Sequence, residues 1–469
     1  MKRSAYLAKN IALFALNSVG ARLISFFLVP LYTMALTTPE YGCADLVTTI
    51  ATLLVPIMTM NIGEAIMRFS LDDAGNESDI ISIGILFAFL SAIVGTIVFA
   101  LLRMFPQITV SGWIVYFFCV SQGLYITASC VLRGQEKLLQ YAIGNITLTF
   151  LTAALNIAFL LVLKWGVRGY FLAYTAAFFT AGLYCVISGD VFATLKNFRI
   201  DVALMKEMVK YSILLVPNSF MWWIMNSSDH IMVTAMISIT ANGVYAVSYK
   251  LPSILSVLSV VFNQAWSYSA IHENKSEDRT AFNNLMYDKL VRFLLIVTVF
   301  LMCVMKPFMK IYVTPAYYEA WKYTPYLLIG SFFLTMGTFL STSYTVNKDS
   351  KGFLYSGSFG ALINITLNWA LIPVIGVHGA ALATCVSYVS VFLYRVRDTR
   401  KYIKIDVFRH EYIAGYVILI LTGASMFLPG WTGRAILAVE FLSILLLNRK
   451  FVRECLETGI GIARRLSRR

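Results

Sequence analysis

The sequence predicts an all-α membrane protein of about fourteen transmembrane helices, built as two six-helix pseudo-symmetric bundles around a central cavity, with two further helices at the C-terminal end. Three observations predict it. Of 469 residues, 59% are hydrophobic and 13% are charged, which is more apolar surface than a soluble fold of this size covers. Apolar runs recur near the length of roughly 20 residues that crosses a bilayer as a helix. The second half of the chain also repeats short motifs of the first.

Lipid offers no hydrogen-bond partner to a peptide backbone, so the spans must be helices or a closed barrel. Residues 80–102, 141–163, 286–305 and 412–429 are continuous apolar stretches without the alternation of a barrel strand. The expected spans are 11–36, 43–66, 80–102, 112–132, 141–163, 167–188, 211–237, 243–268, 286–313, 323–346, 353–373, 378–396, 412–429 and 432–448. Met1-Lys2-Arg3 leads into an apolar run too long for the core of a cleavable signal, so it reads as the first span. With both termini in the cytoplasm and Lys or Arg near a span end counted with the adjoining segment, 29 of the 38 fall on the cytoplasmic side and 7 on the external side. The other two, Arg22 and Lys250, lie inside spans. That split is the positive-inside signature of an even span number. The net charge of +14 sits in short loops and the tail, so it reads as topology and contact with anionic lipid, with no nucleic-acid partner.

The seven cysteines are scattered singly, with no metal-ligand spacing, and read as small membrane-core residues. No metal site or cofactor is expected.

Two repeats stand out. Asn17-Ser18 matches Asn218-Ser219, and Tyr41-Gly42 matches Asn242-Gly243, both at an offset of 201. Gly166-Val167-Arg168-Gly169 with Leu172-Ala173 matches Gly376-Val377-His378-Gly379 with Leu382-Ala383 at an offset of 210. They imply an N-terminal lobe (1–190), a cytoplasmic linker (191–210), a C-terminal lobe (211–400), and two added helices with a basic tail (401–469). Six spans per half makes the repeats parallel, related by an axis along the membrane normal.

Ionisable residues inside spans are the informative ones, since a charge at a helix centre costs ~2.5–3.5 kcal/mol on insertion scales. Arg22, midway along the first span, offers forked donors to a pyrophosphate or acidic sugar, or pairs with a neighbouring acid. Lys250 suits the same anion, or snorkels, or pairs with Asp229. Asp45 reads first as a solvated acid at a helix end, and Glu64 as the i,i+4 partner of Arg68. The sharper reading makes Asp45, Glu64, Asp229 and His230 an ion-coupling set. Arg68 and Arg133 mark cytoplasmic helix ends where a phosphate enters, or simply set topology. Asn17, Asn218 and Gln264 offer neutral groups suited to sugar hydroxyls. Pro30, Pro56, Pro217 and Pro252 are expected to kink four helices. Trp222, Trp223, Trp266 and Trp369 read as interface anchors or sugar-stacking surfaces.

Leu36-Thr37-Thr38-Pro39-Glu40-Tyr41-Gly42, Asn61-Ile62-Gly63-Glu64-Ala65-Ile66-Met67-Arg68-Phe69, and Asp229-His230 followed by Gly243-Val244-Tyr245-Ala246-Val247-Ser248-Tyr249-Lys250-Leu251 together resemble the MOP superfamily, especially its Wzx-type polysaccharide flippases. His230 stands where that pattern has Arg, and Glu64 where it has a small or apolar residue. The resemblance implies a flippase of the bacterial inner membrane. Its cargo would be undecaprenyl-pyrophosphate-linked oligosaccharide for O-antigen, capsule or exopolysaccharide. It would act as a monomer beside a polysaccharide polymerase and a chain-length regulator, with H+ or Na+ as the coupling ion if there is one. The alternatives are an ion-coupled multidrug exporter or a peptidoglycan-precursor flippase of the same superfamily. Neither a nucleotide phosphate loop nor a DxD motif occurs, so neither an ATP-driven pump nor an enzyme is expected, and no catalytic residue is assigned.

Overall fold

The computed structural model describes residues 20, 24–72, 76–102, 108–195, 198–272 and 278–466. Nineteen α-helices run in chain order, α1 (Ile24–Ala35), α2 (Thr38–Met58), α3 (Ile62–Leu71), α4 (Glu77–Leu102), α5 (Gly112–Gly134), α6 (Leu138–Asn156), α7 (Gly166–Ser188), α8 (Val191–Leu195), α9 (Val202–Ile213), α10 (Val216–Met236), α11 (Ile239–Ser248), α12 (Lys250–His272), α13 (Arg279–Tyr312), α14 (Thr324–Val346), α15 (Ser350–Ile375), α16 (Val377–Asp398), α17 (His410–Ser425), α18 (Gly430–Leu447) and α19 (Arg449–Leu466). The described residues contain no strand. They divide into two compact units, Met1–Val247 and Ser248–Arg469.

Among the described residues, ten helices are long and apolar enough to span a bilayer, and α11 with α12, bent by 44° at Tyr249, passes the same test as a pair. The other three expected spans fall on α1, α10 and α17. α1 is the described part of its span. α17 has 16 residues. α10 carries Asn226, Asp229 and His230, which lower its hydropathy.

Two expected spans are divided differently. The second, expected at 43–66, starts at Thr38, because the Glu40 carboxylate accepts the Thr37 N–H at 3.0 Å and Pro39 sits in the first turn. It stops at Met58, where Met60 and Asn61 take left-handed backbone (φ 51° and 52°) and the chain turns into α3. Pro56 lies just before that stop. The seventh, expected from 211, starts at Val216. Pro217 there opens α10 instead of kinking it, since a first-turn residue needs no N–H donor.

The repeat is visible in the turns. Between α5 and α6, the N–H groups of Gln135, Glu136 and Lys137 donate to the carbonyls of Val131, Arg133 and Leu132. Between α14 and α15, Asn347, Lys348 and Asp349 donate to Ser343, Thr345 and Tyr344, the same pattern displaced by 212 residues. Glu136 and Lys348 hold the matching left-handed position (φ 54° and 56°). Each turn is then pinned to the far end of its own bundle. Lys137 pairs with Asp190 at 2.9 Å, and Asp349 pairs with Lys401 at 3.2 Å, so the polarity is reversed.

Asp349 also caps α15. Its carboxylate accepts the Gly352 N–H at 2.9 Å and the Tyr402 hydroxyl at 2.7 Å. The Gly352 and Tyr402 bonds, with Lys401, hold its carboxyl at about 2, below the usual 3.8. A depressed acid stabilises the fold above its unfolded-state value, and that contribution is lost as pH falls through the folded one. The first-turn amides of α15 should therefore lose hydrogen-exchange protection, corrected for intrinsic rates, as pH drops from about 3.8 to about 2. Asp349→Asn should flatten that profile; an unchanged profile would refute the assignment.

The added helices α17 and α18 are tied to α13 by Arg292. Its guanidinium bonds Asp288 (2.9 Å), Glu411 and Asn448 (3.2 Å), and the Tyr412 hydroxyl joins Asp288 at 2.6 Å. Trp266 is buried in the second unit, its ring stacked 4.6 Å from that of Phe339, so it is a core residue and not an interface anchor. Trp369 is 70% exposed.

Candidate functional site

Within the first unit, α2 and α11 cross with their backbones in contact. A Cβ on Gly42 would lie 1.9 Å from the carbonyl oxygen of Ile239, and one on Gly243 would lie 2.1 Å from that of Thr38. No side chain fits at either position. The offset of 201 that relates Gly42 to Gly243 also relates Thr38 to Ile239, so the two approaches are one contact written twice. The repeat read along the chain as Tyr41-Gly42 and Asn242-Gly243 brings its own two copies face to face. Small residues are what allow membrane helices to approach so closely.

A buried polar network flanks the crossing. His230 Nδ1 lies 2.7 Å from Asp45 Oδ2. The Asn242 side chain donates to the same oxygen at 3.0 Å and to the Gly42 carbonyl at 3.2 Å. The Tyr245 hydroxyl donates to Asp229 Oδ2 at 2.6 Å, and the His230 backbone N–H donates to Asp229 Oδ1 at 3.1 Å. Asn242 and Tyr245 are fully buried, and Asp229 is 1% exposed. Nearby, Trp223 Nε1 donates to the Thr49 carbonyl at 2.9 Å, a second tie between α10 and α2. With Asp45 as the acceptor, the imidazole carries a proton on Nδ1 whether it is neutral or charged.

Asp45 is therefore not a solvated terminal acid. Its side chain is 19% exposed and paired, because α2 begins five residues earlier than hydropathy suggests and places Asp45 two turns in. Asp229 and His230 face different partners, as neighbours on a helix must. The network breaks the repeat symmetry: at the offset of 201, Asp45, Asp229 and His230 correspond to Ala246, Leu28 and Val29.

The other expected residues are placed as follows. Arg22 and Asn17 lie outside the described residues. Asn218 lies on α10 and Gln264 on α12. Lys250 opens α12 at the break after α11, half-buried, with no ion pair among the described residues. Glu64 does not pair with Arg68. Arg68 turns to Asp72 at 2.9 Å, past the end of α3, while Glu64 faces α5 and sits 3.8 Å from Arg133. The first pair is exposed and the second partly so, which limits each to roughly 0–1 kcal/mol.

Sequence reasoning missed Asn242 and Tyr245 as network members, although both stand inside quoted motifs. It also missed Glu440, inside α18, whose carboxylate accepts the Ser425 hydroxyl at 2.7 Å. Arg395, buried in the second unit, was not singled out by the sequence either.

The profile of polysaccharide biosynthesis proteins matches residues 7–268. The chain belongs to the polysaccharide biosynthesis protein family. Among curated proteins, this family member is similar to an uncharacterised membrane protein of Methanocaldococcus jannaschii, 24% identical over 294 residues, covering 58% of this chain and 68% of that one. Among solved structures, it is similar to the lipid II flippase MurJ in an inward closed conformation (TM-score 0.65, 14% identity, 95% of this chain and 100% of that one). It is equally similar in TM-score, 0.65, to an inward-facing multidrug resistance MATE family transporter of the MOP superfamily, at 11% identity over 87% of this chain and 95% of that one. A MOP superfamily transporter of Pyrococcus furiosus, whose binding pocket has reversed polarity, gives a TM-score of 0.59 at 12% identity, with 90% and 97% covered. The fold is that of the solved MOP-superfamily transporters and flippases.

Proposed function

We propose that this protein moves undecaprenyl-pyrophosphate-linked oligosaccharide repeat units from the cytoplasmic to the outer leaflet of the bacterial inner membrane, by alternating access and without catalysing a reaction. The observation that carries the reading is membership of the polysaccharide biosynthesis family on a transporter fold. The glycine crossing and its polar network act as the outer gate. Its helices hold together by backbone contact and a few buried hydrogen bonds, and all of these must break for the gate to open. Arg22 and Lys250 take the pyrophosphate, and Asn17, Asn218 and Gln264 take sugar hydroxyls. Arg68 and Arg133 meet the headgroup at the cytoplasmic entrance. Asp45, Asp229 and His230 tie opening to H+ or Na+, because a change of charge on any of them alters the pairing that keeps the crossing shut.

The test is where lipid-linked oligosaccharide accumulates in cells lacking the protein. Build-up on the cytoplasmic leaflet with loss of surface polysaccharide is expected, and Arg22→Ala should reproduce it with insertion intact. Normal surface polysaccharide with altered sensitivity to cationic drugs would overturn the reading in favour of a multidrug exporter.

A further inference from the structure

Arg395 lies on the last turn of α16, three residues before Asp398 ends that helix. An arginine so placed normally runs its side chain outward to the interface. This one runs inward. Nη1 donates to the carbonyl of Gly337 at 3.1 Å, and Gly337 lies nine residues before the end of α14, which is about 13 Å of helix. Nε donates to the Ser356 hydroxyl on α15 at 3.1 Å. The Phe353 ring covers the guanidinium, 5.5 Å from its centre. The residue is 0% exposed, and Nη2 has no hydrogen-bond partner among the described residues.

The fold does not require a charge there. At the offset of 210 the other repeat has Cys185. Cys185 accepts the N–H of Gly189 as Arg395 accepts that of Thr399. Cys185 packs on Gly144 in α6, where Arg395 meets Ser356 in α15. The same junction thus closes around a small thiol in one bundle and a guanidinium in the other. Burying an ion without a counter-ion costs several kcal/mol, so the exchange calls for a counter-charge.

A cavity of about 380 Å³ adjoins it, lined by Tyr344, Thr345, Lys348, Asp349, Ser350 and Phe353. Arg395 is not among the lining residues; Phe353 is the residue shared by the two, lining the cavity and lying against the guanidinium. The two nearby acids are already engaged. Asp349 takes Tyr402, Gly352 and Lys401, and Asp398 takes the Tyr344 hydroxyl at 2.8 Å and Lys401 at 3.1 Å. Lys348 is exposed and forms no ion pair among the described residues. We infer that this cavity is an anion site for a phosphate group, with Lys348 at its mouth and Arg395 behind Phe353 as the charge the anion reaches when that ring turns aside. A phospholipid headgroup and free phosphate share this chemistry. The inference does not depend on the cargo proposed above.

The full chain, purified in a neutral maltoside detergent, is titrated calorimetrically with inorganic phosphate, with dihexanoylphosphatidylglycerol, and with dihexanoylphosphatidylcholine as the neutral control. Saturable binding is expected, weakened about tenfold by Lys348→Ala, roughly the loss of one modest charge contact, and abolished by Arg395→Gln. Phe353→Ala should tighten it, because the ring no longer screens the guanidinium. Should Arg395→Gln fail to fold, Lys348→Ala and Phe353→Ala carry the test. Binding confined to phosphatidylglycerol assigns the site to a lipid headgroup, and equal binding of inorganic phosphate assigns it to a soluble anion. Absence of saturable binding to folded wild-type protein, or binding that none of the folded variants alters, overturns the inference.

Discussion

Gly42→Val is expected to abolish export while leaving membrane insertion intact. The first added carbon would sit 1.9 Å from the Ile239 carbonyl oxygen. Overpacking a core costs typically 1–3 kcal/mol when side chains can move aside. Here the obstacle is a backbone carbonyl in the first turn of the facing helix, which cannot rotate away as a side chain can, so the effect should reach the top of that range. About 3 kcal/mol shifts the closed-to-open ratio more than 100-fold. A single cysteine at Thr48, in a background lacking the native cysteines, should react faster with an impermeant maleimide added outside. Gly243→Val should behave the same way, since its added carbon meets Thr38 at 2.1 Å. Export at the wild-type level with unchanged labelling would show that the crossing does not gate.

The second large effect is expected at His230. Replacing it with alanine removes the 2.7 Å contact to Asp45, which keeps its hydrogen bond from Asn242. Breaking a buried pair by removing one member costs roughly 3–5 kcal/mol, and the partial exposure of Asp45 points to the lower end. Thermal unfolding followed by intrinsic fluorescence should show this loss. The double variant Asp45→Asn, His230→Gln should recover part of it, because two neutral amide groups can bond each other without a stranded charge. The coupling between the positions should fall within the ~0.5–3 kcal/mol typical of contacting residues. Strictly additive changes would mean that the 2.7 Å contact stores no interaction energy.

The sequence carried the helical class and the repeats because both rest on signals that survive without tertiary information: apolar runs of bilayer length, and short motifs that recur in order at similar offsets. Helix ends were less legible. The start of α2 depends on Glu40 folding back on Thr37, and its stop on two left-handed residues, and hydropathy is blind to both. The candidate site was half legible. Asp45, Asp229 and His230 stood out as charges inside spans, and the repeat drew attention to Gly42 and Gly243. What a linear reading could not supply was the pairing. Asp45 and His230 lie 185 residues apart, and Glu64 chose Arg133 on another helix over Arg68 on its own. Arg395 was hidden for a different reason. A cation one turn from a helix end looks like a topology mark, and only the direction of its side chain distinguishes it.

The reversed polarity of the two turn-to-helix pairs bears on how the gene can change. Lys137 with Asp190, and Asp349 with Lys401, are each self-consistent within one repeat. A recombination event that copied one turn into the other half would set lysine against lysine or aspartate against aspartate. Duplicated halves of a gene tend to be homogenised by such exchanges. Here a conversion tract short enough to carry a turn without its partner would exchange an attractive pair for a like-charge contact, a small cost that falls on each such exchange and so favours continued divergence of the two halves.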